Sequence, residues 1–243
     1  MSRLLKILLL GILLVSGLMG STFAFKAAMV TDLTGLTGHG FNDIAWQGFV
    51  EAKKEFGIDI RLVESREQAD YIVNLSKLAE EGYDVIVGVG FLLTDAIETV
   101  AAKYPNSSFA LIDAVTSKVY PNVRCYTFHE NESSFLAGYL AGMVTRKKKV
   151  SFIGGMDVPL IRKFEAGYRA GVETANRNIK VISAYTGSFT DPVKGKQLVK
   201  ILFAQGADIV YAAAGECGLG VIDAVKTMPT GYYVIGVDVD EDS

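Results

Sequence analysis

The sequence predicts an α/β protein built as two lobes, each a parallel sheet flanked by helices. Three observations lead there. From Lys26 onward, short apolar runs alternate with longer stretches of helical period, as in successive βαβ units. Most of the runs lack polar alternation, the mark of strands covered on both faces. Nine such runs are also too many for one compact sheet in 243 residues, a length that allows one large or two modest domains.

Residues 1–24 precede the first strand. Arg3 and Lys6 give a basic start, and Ile7 to Met19 is apolar apart from Gly11, Ser16 and Gly17. Thr22 and Ala24 sit at the −3 and −1 positions of a cleavage before Phe25. This is the three-part pattern of a secretory signal peptide. The mature chain is therefore expected outside the cytoplasm, in a periplasm or on the cell surface, or membrane-anchored if the leader is kept.

The strands of the first lobe are expected at Lys26–Asp32, Ile58–Val63, Tyr83–Val89, Ser108–Asp113 and Val123–Phe128. Those of the second are expected at Val150–Gly154, Lys180–Tyr185, Asp208–Ala213 and Tyr232–Val237. Between them, Ile72, Leu75, Leu78 and Ala79 repeat at helical spacing, as do Phe164, Tyr168, Val172 and Ala175, and then Leu198, Ile201 and Leu202. A helix over Glu132–Arg146 opens the second series. This places the lobes at residues 25–129 and 130–237, with 238–243 beginning a further crossing.

Composition removes several functions. With 24 Lys+Arg against 27 Asp+Glu the net charge is −3, and loss of the leader makes it −5, which argues against nucleic acid as a partner. Half the residues are hydrophobic, so the chain is not a disordered one. Two cysteines make neither a disulfide framework nor a four-cysteine zinc site. Cys125 reads as a small core residue and Cys217 as a turn residue, and a pairing between them is not expected. The two histidines, His39 and His129, lie far apart, and neither a zinc-protease motif nor a nucleophile elbow is present. No catalytic residue, metal or cofactor is expected.

A binding signal is stronger. Ligands of open α/β sheets sit beyond the carboxyl ends of the strands. Those ends read Asp32, Gly90-Phe91, Asp113, Glu130 with Glu132, Gly155, Phe189, Gly215 and Asp238, so acids, glycines and aromatics gather at one edge of both lobes. The loop after the first strand, residues 35–42, is glycine-rich and ends in Phe41-Asn42. Phe41 reads as a ligand-facing ring or as a helix-staple residue, and Asn42 as a ligand contact or a plain N-cap.

The set Asp32, Gly-Phe-Asn-Asp-Ile-Ala-Trp at 40–46, Phe-Leu-Ala-Gly-Tyr-Leu-Ala-Gly at 135–142, Gly154-Gly155, Pro159, Phe164-x-x-Gly167 and Gly236-Val237-Asp238 resembles the basic membrane protein family. The likeness runs from about residue 26 to the end. It implies the type I periplasmic binding protein fold, a purine nucleoside held between the lobes, and an ABC transporter permease as partner. Carried over by motif, Phe41 and Phe189 would stack on the base, and Asn42 and Asp113 would face it or its neighbours. Gly215 and Asp238 would line the ribose, while Asp32 and Glu132 would complete the polar wall. Three departures accompany the resemblance. Gly38-His39-Gly40 stands where the family usually has Asp-Lys-Ser, the lipoprotein cysteine is absent, and members run longer. The return of the chain to the first lobe is thus expected to be missing, leaving apolar surface exposed where it packs. The alternatives are a sugar or autoinducer receptor on the same fold and, less favoured, a secreted nucleoside hydrolase. Sugar-responsive transcription regulators share the fold but carry a helix-turn-helix where this chain has its leader.

Overall fold

The computed structural model describes residues 24–38 and 40–240. The leader, apart from Ala24, lies outside the described residues, as do His39 and the last three positions.

Among the described residues, nine strands form two sheets. β1 (Lys26–Val30), β2 (Asp59–Val63), β3 (Val85–Val89), β4 (Phe109–Ile112) and β5 (Val123–Tyr126) make the first, in the order 2-1-3-4-5. β6 (Lys149–Gly154), β7 (Lys180–Tyr185), β8 (Ile209–Ala213) and β9 (Tyr233–Ile235) make the second, in the order 7-6-8-9. Every pairing is parallel. β1 to β4 therefore correspond to β6 to β9, and each lobe has one switch point, between β1 and β3 and between β6 and β8.

The helices follow the crossovers. They are α1 (Phe41–Phe56), α2 (Asp70–Glu80), α3 (Thr94–Lys103), α4 (Glu130–Val144), α5 (Pro159–Ala175), α6 (Pro192–Ala204) and α7 (Glu216–Lys226), with a short 3-10 turn at Phe91–Leu93. Alternate residues of the first sheet, Ala28, Val30, Ile86, Phe109 and Leu111, form one core with Tyr71, Leu75 and Leu78 of α2 and Ile97 and Val100 of α3. In the second sheet α6 and α7 cover one face and α4 and α5 the other. Among the described residues, the opposite face of the first sheet carries only α1, and there Ile44 and Val50 of the helix and Tyr126 and Phe128 at the sheet edge are exposed.

Glycines bring two helix pairs of the second lobe into backbone contact. A Cβ on Gly138 would lie 2.0 Å from the Tyr168 carbonyl oxygen, and one on Gly171 2.0 Å from that of Phe135, so α4 and α5 meet with no side chain between them. Gly195 against Cys217 and Gly220 against Pro192 do the same for α6 and α7.

α4 begins at Glu130, two residues before the helix that sequence places at Glu132–Arg146, and it ends two residues earlier. The buried carboxylate of Asp208 explains the end. It accepts hydrogen bonds from Thr145 Oγ1 (2.6 Å) and from the backbone N–H groups of Arg146 (2.8 Å) and Lys147 (3.0 Å), which turns the chain out of the helix and into β6. Cys125 and Cys217 are both free, and Cys217 Sγ donates to the Ser188 carbonyl.

Candidate functional site

The carboxyl ends of the two sheets open on one cavity of about 1090 Å³, lined from both lobes. At the first switch point β1 delivers Asp32. Its Oδ1 accepts from the backbone of Thr34 (3.1 Å) and from Asn42 Nδ2 (3.0 Å), and that amide also donates to the Gly35 carbonyl (2.9 Å). Asn42 is buried at the second position of α1 and is not its N-cap, which is Gly40. Both amide hydrogens of Asn42 thus brace the loop, leaving its oxygen as the unspent group.

The loop has a second brace. Asp43 accepts from the backbone N–H groups of Thr37, Gly38 and Gly40 and from the Thr37 hydroxyl. Burial opposes its ionisation, but these donors outweigh burial and hold the carboxyl below the usual carboxylate range. The glycines serve this wrapping, since Gly35 and Gly38 have positive φ.

Corresponding strands of the two lobes carry corresponding groups. After β3 and β8 come Gly90 and Gly215, with φ of 96° and 57°. Asp113 directly follows β4 and Asp238 closely follows β9, with φ of 64° and 70°. Left-handed backbone at a non-glycine residue is uncommon, and aspartate tolerates it best. Both acids line the cavity, and burial raises the pKa of each.

The aromatic rings pair in a way the sequence does not reveal. Phe41 meets Phe128 edge-on at 6.4 Å, and Phe189 meets Phe91 at 6.0 Å with the planes at 68°. Phe91 belongs to the first lobe and Phe189 to the second, so this contact spans the cleft. Phe189 is seated by glycines, because a Cβ on Gly155 would lie 2.2 Å from its ring and one on Gly215 3.1 Å from its carbonyl oxygen.

Seven of the eight residues expected at the site line the cavity: Asp32, Phe41, Asn42, Asp113, Phe189, Gly215 and Asp238. Glu132 does not. Its side chain is 73% exposed and pairs with His129 at 3.2 Å. Glu130 takes the inward place, with a side chain only 5% exposed. The cause is the helix start: from Glu130, the inward positions of α4 are Glu130, Ser133 and Ala137, and Glu132 falls on the opposite side. The described cavity wall contains no lysine or arginine, whereas Asp32, Asp43, Asp113, Glu130, Glu216 and Asp238 all contribute to it.

The family model described as Bmp, ABC transporter substrate-binding protein PnrA-like, matches residues 25–243. The chain belongs to the Bmp family. It is 38% identical over 227 residues to the ABC transporter nucleoside-binding protein BmpA of Lactococcus lactis subsp. cremoris, covering 89% of this chain and 64% of that protein. It is 34% identical over 247 aligned positions to basic membrane protein B of Borreliella burgdorferi, covering 97% and 72%. Among solved structures, an ABC transporter solute-binding protein from Aeropyrum pernix K1 superposes with a TM-score of 0.82 at 32% identity, covering 89% of this chain and 63% of that one. The chain therefore spans somewhat less than two thirds of the Lactococcus relative. Bmp-family proteins are solute-binding proteins of ABC transporters, and the two parallel sheets flanked by helices are the architecture of such receptors.

Proposed function

We propose that this chain is the ligand-binding part of an extracytoplasmic receptor that takes a purine nucleoside between its lobes and presents it to an ABC transporter permease. The observation that carries this reading is the composition of the cavity wall. It combines rings from both lobes, Phe41 and Phe91 from one and Phe189 from the other, with an acidic wall free of lysine and arginine among the described residues. Aromatic faces suit a flat heteroaromatic, and carboxylates accept from sugar hydroxyls and ring N–H groups. The absence of lysine and arginine from the described wall disfavours phosphate and carboxylate ligands. In this reading the lobes are residues 25–129 and 130–237. Phe41 and Phe189 contact the base, Asp113 and the Asn42 oxygen read its edge, and Asp238 and Gly215 line the ribose. Asp32 acts by holding Asn42.

A thermal-shift series with inosine, guanosine, the free bases and pentoses tests the reading. A nucleoside at 100 times its dissociation constant adds about 2.7 kcal/mol to stability. Nucleosides are expected to raise the melting temperature most. A response to a pentose with none to any purine would replace the nucleoside by a sugar, and release of free base during incubation would mark a hydrolase.

A further inference from the structure

Asp113 and Glu130 come from different lobes. Asp113 follows β4 of the first sheet, and Glu130 is the first residue of α4, which packs on the second. Glu130 is nine-tenths buried and lines the cavity, yet neither of its carboxylate oxygens receives a hydrogen bond, and Asp113 Oδ1 is in the same condition. Lys163 Nζ of α5 stands 3.5 Å from Glu130 Oε2, beyond good hydrogen-bond length, and its own side chain is half exposed. The other charged or titratable groups nearby are Asp238, which adds to the repulsion felt by Asp113, and His129, which lines the cavity rim with an exposed side chain paired to Glu132 on the outside. Tyr211 of β8 is occupied by Ser134. Among the described residues, no group of three or more histidines, cysteines, aspartates or glutamates is arranged to hold a metal ion, and Lys163 is the cation that faces the pair.

We propose that Asp113 and Glu130 share a single proton across the cleft and together form a ligand-contacting acid pair, making Glu130 a specificity residue of the site. One proton between the buried Glu130 and the half-buried Asp113 turns a repulsion into a hydrogen bond and leaves three oxygen atoms to accept from a ligand's O–H and N–H groups. The pair then favours neutral, donor-rich ligands and rejects anionic ones. The titration agrees with the geometry: burial first, then the hydrogen bond and charge of Glu130, raise the Asp113 carboxyl to about 7. The sign for binding follows. Closure removes water from the pair, so the closed form requires the proton. Below about pH 7 the proton is already in place, and above it binding must take one up, so affinity falls by up to tenfold per pH unit.

The ligand arm of this proposal rests on the nucleoside reading, so the experiment has two arms. In the first, carboxyl carbon NMR of the ligand-free chain is expected to show one carboxyl titrating near 7. That signal disappears in Asp113→Asn and moves to the ordinary range in Glu130→Gln, where an amide N–H replaces the shared proton. No carboxyl titrating above about 5, or one indifferent to Glu130→Gln, overturns the pair. In the second arm, calorimetry compares guanosine with guanosine 5′-monophosphate between pH 6 and 9. The wild-type chain should bind guanosine at least 100-fold more tightly than the monophosphate and lose affinity above pH 7, while Glu130→Gln should give a flat profile. A wild-type slope unchanged in both Glu130→Gln and Asp113→Asn overturns the role in binding. If the shared proton appears and guanosine does not bind, the pair is supported and the nucleoside reading fails.

Discussion

At the scale of single residues, Asp238 and Phe41 separate the two halves of the expected ligand. Asp238 is a solvent-accessible carboxylate lining the cavity, and a charge-assisted hydrogen bond is worth roughly 1.5–3 kcal/mol. Asp238→Ala is therefore expected to weaken nucleoside binding about tenfold or more and free-base binding much less, whereas Phe41→Ala weakens both alike. Calorimetry with each ligand decides it, and equal losses in Asp238→Ala would remove this residue from the ribose. Gly155 offers a second test. Its Cβ would enter the Phe189 ring, so Gly155→Ala must displace that ring from the cleft. Ligand affinity should drop at least tenfold with only a modest change in melting temperature, because the ring is only partly buried, at the cavity margin of the core. Loss of the fold in Gly155→Ala would make the glycine a packing requirement instead.

At the scale of elements, most of the plan was legible. All nine strands were readable as apolar runs, since parallel strands covered on both faces carry an unbroken hydrophobic signature. Several of their ends were overextended, as at Lys26–Asp32, where the strand stops at Val30 and Asp32 turns toward the cavity, whereas Lys180–Tyr185 matched and Val150–Gly154 began one residue late. The same edge identified Asp32, Asp113, Phe189 and Asp238, because strand ends define the ligand side of such sheets. Glu130 stood with Glu132 among the strand-end acids, but the sequence did not mark which of the two faces inward. α4 starts at Glu130 with no serine, threonine or asparagine cap, His129 occupying that place without a side-chain cap, and it is Glu130 that lines the cavity. The partnership of Phe91 with Phe189 was illegible because it joins elements that only the lobe arrangement brings together. The glycine contacts make a further prediction. Gly171→Ala puts a methyl group 2.0 Å from a carbonyl oxygen of α4, and overpacking of this kind costs roughly 1–3 kcal/mol. Urea denaturation should show that loss, whereas Gly48→Ala on α1, with open space around it, should be neutral or slightly stabilising.

At the scale of the whole molecule, the two lobes are covered unequally. Among the described residues, the second sheet has two helices on each face, whereas the first has α2 and α3 on one face and α1 alone on the other. Val85, Val87, Ala110 and Ile112 of that less covered face line the cavity together with Ala45 and Phe49 of α1. This continuity places the cavity volume slightly above the 300–1,000 Å³ usual for small-ligand sites. A parallel sheet with an apolar face open to water favours association. The 25–243 chain is expected to bind a hydrophobic dye in its native state and to self-associate as concentration rises. Sedimentation of a monomer with no dye response across micromolar to millimolar concentrations would show the face to be inert.

The glycine contact between α4 and α5 also fixes a position. One residue of slip along a helix is a translation of about 1.5 Å. Side chains that interdigitate loosely tolerate such slip by changing rotamer, but two backbones in contact cannot, because every glycine faces one particular carbonyl. α4 is thereby keyed to α5 like a tooth in a rack. Glu130 sits at the tip of the keyed helix, and Leu160, Ile161 and Phe164 at the start of its partner line the same cavity. The wall of the second lobe is thus held in register by helix backbones, and the placing of Glu130 opposite Asp113 depends on residues such as Gly138 and Gly171, which lie along the shafts of the helices rather than at the cavity.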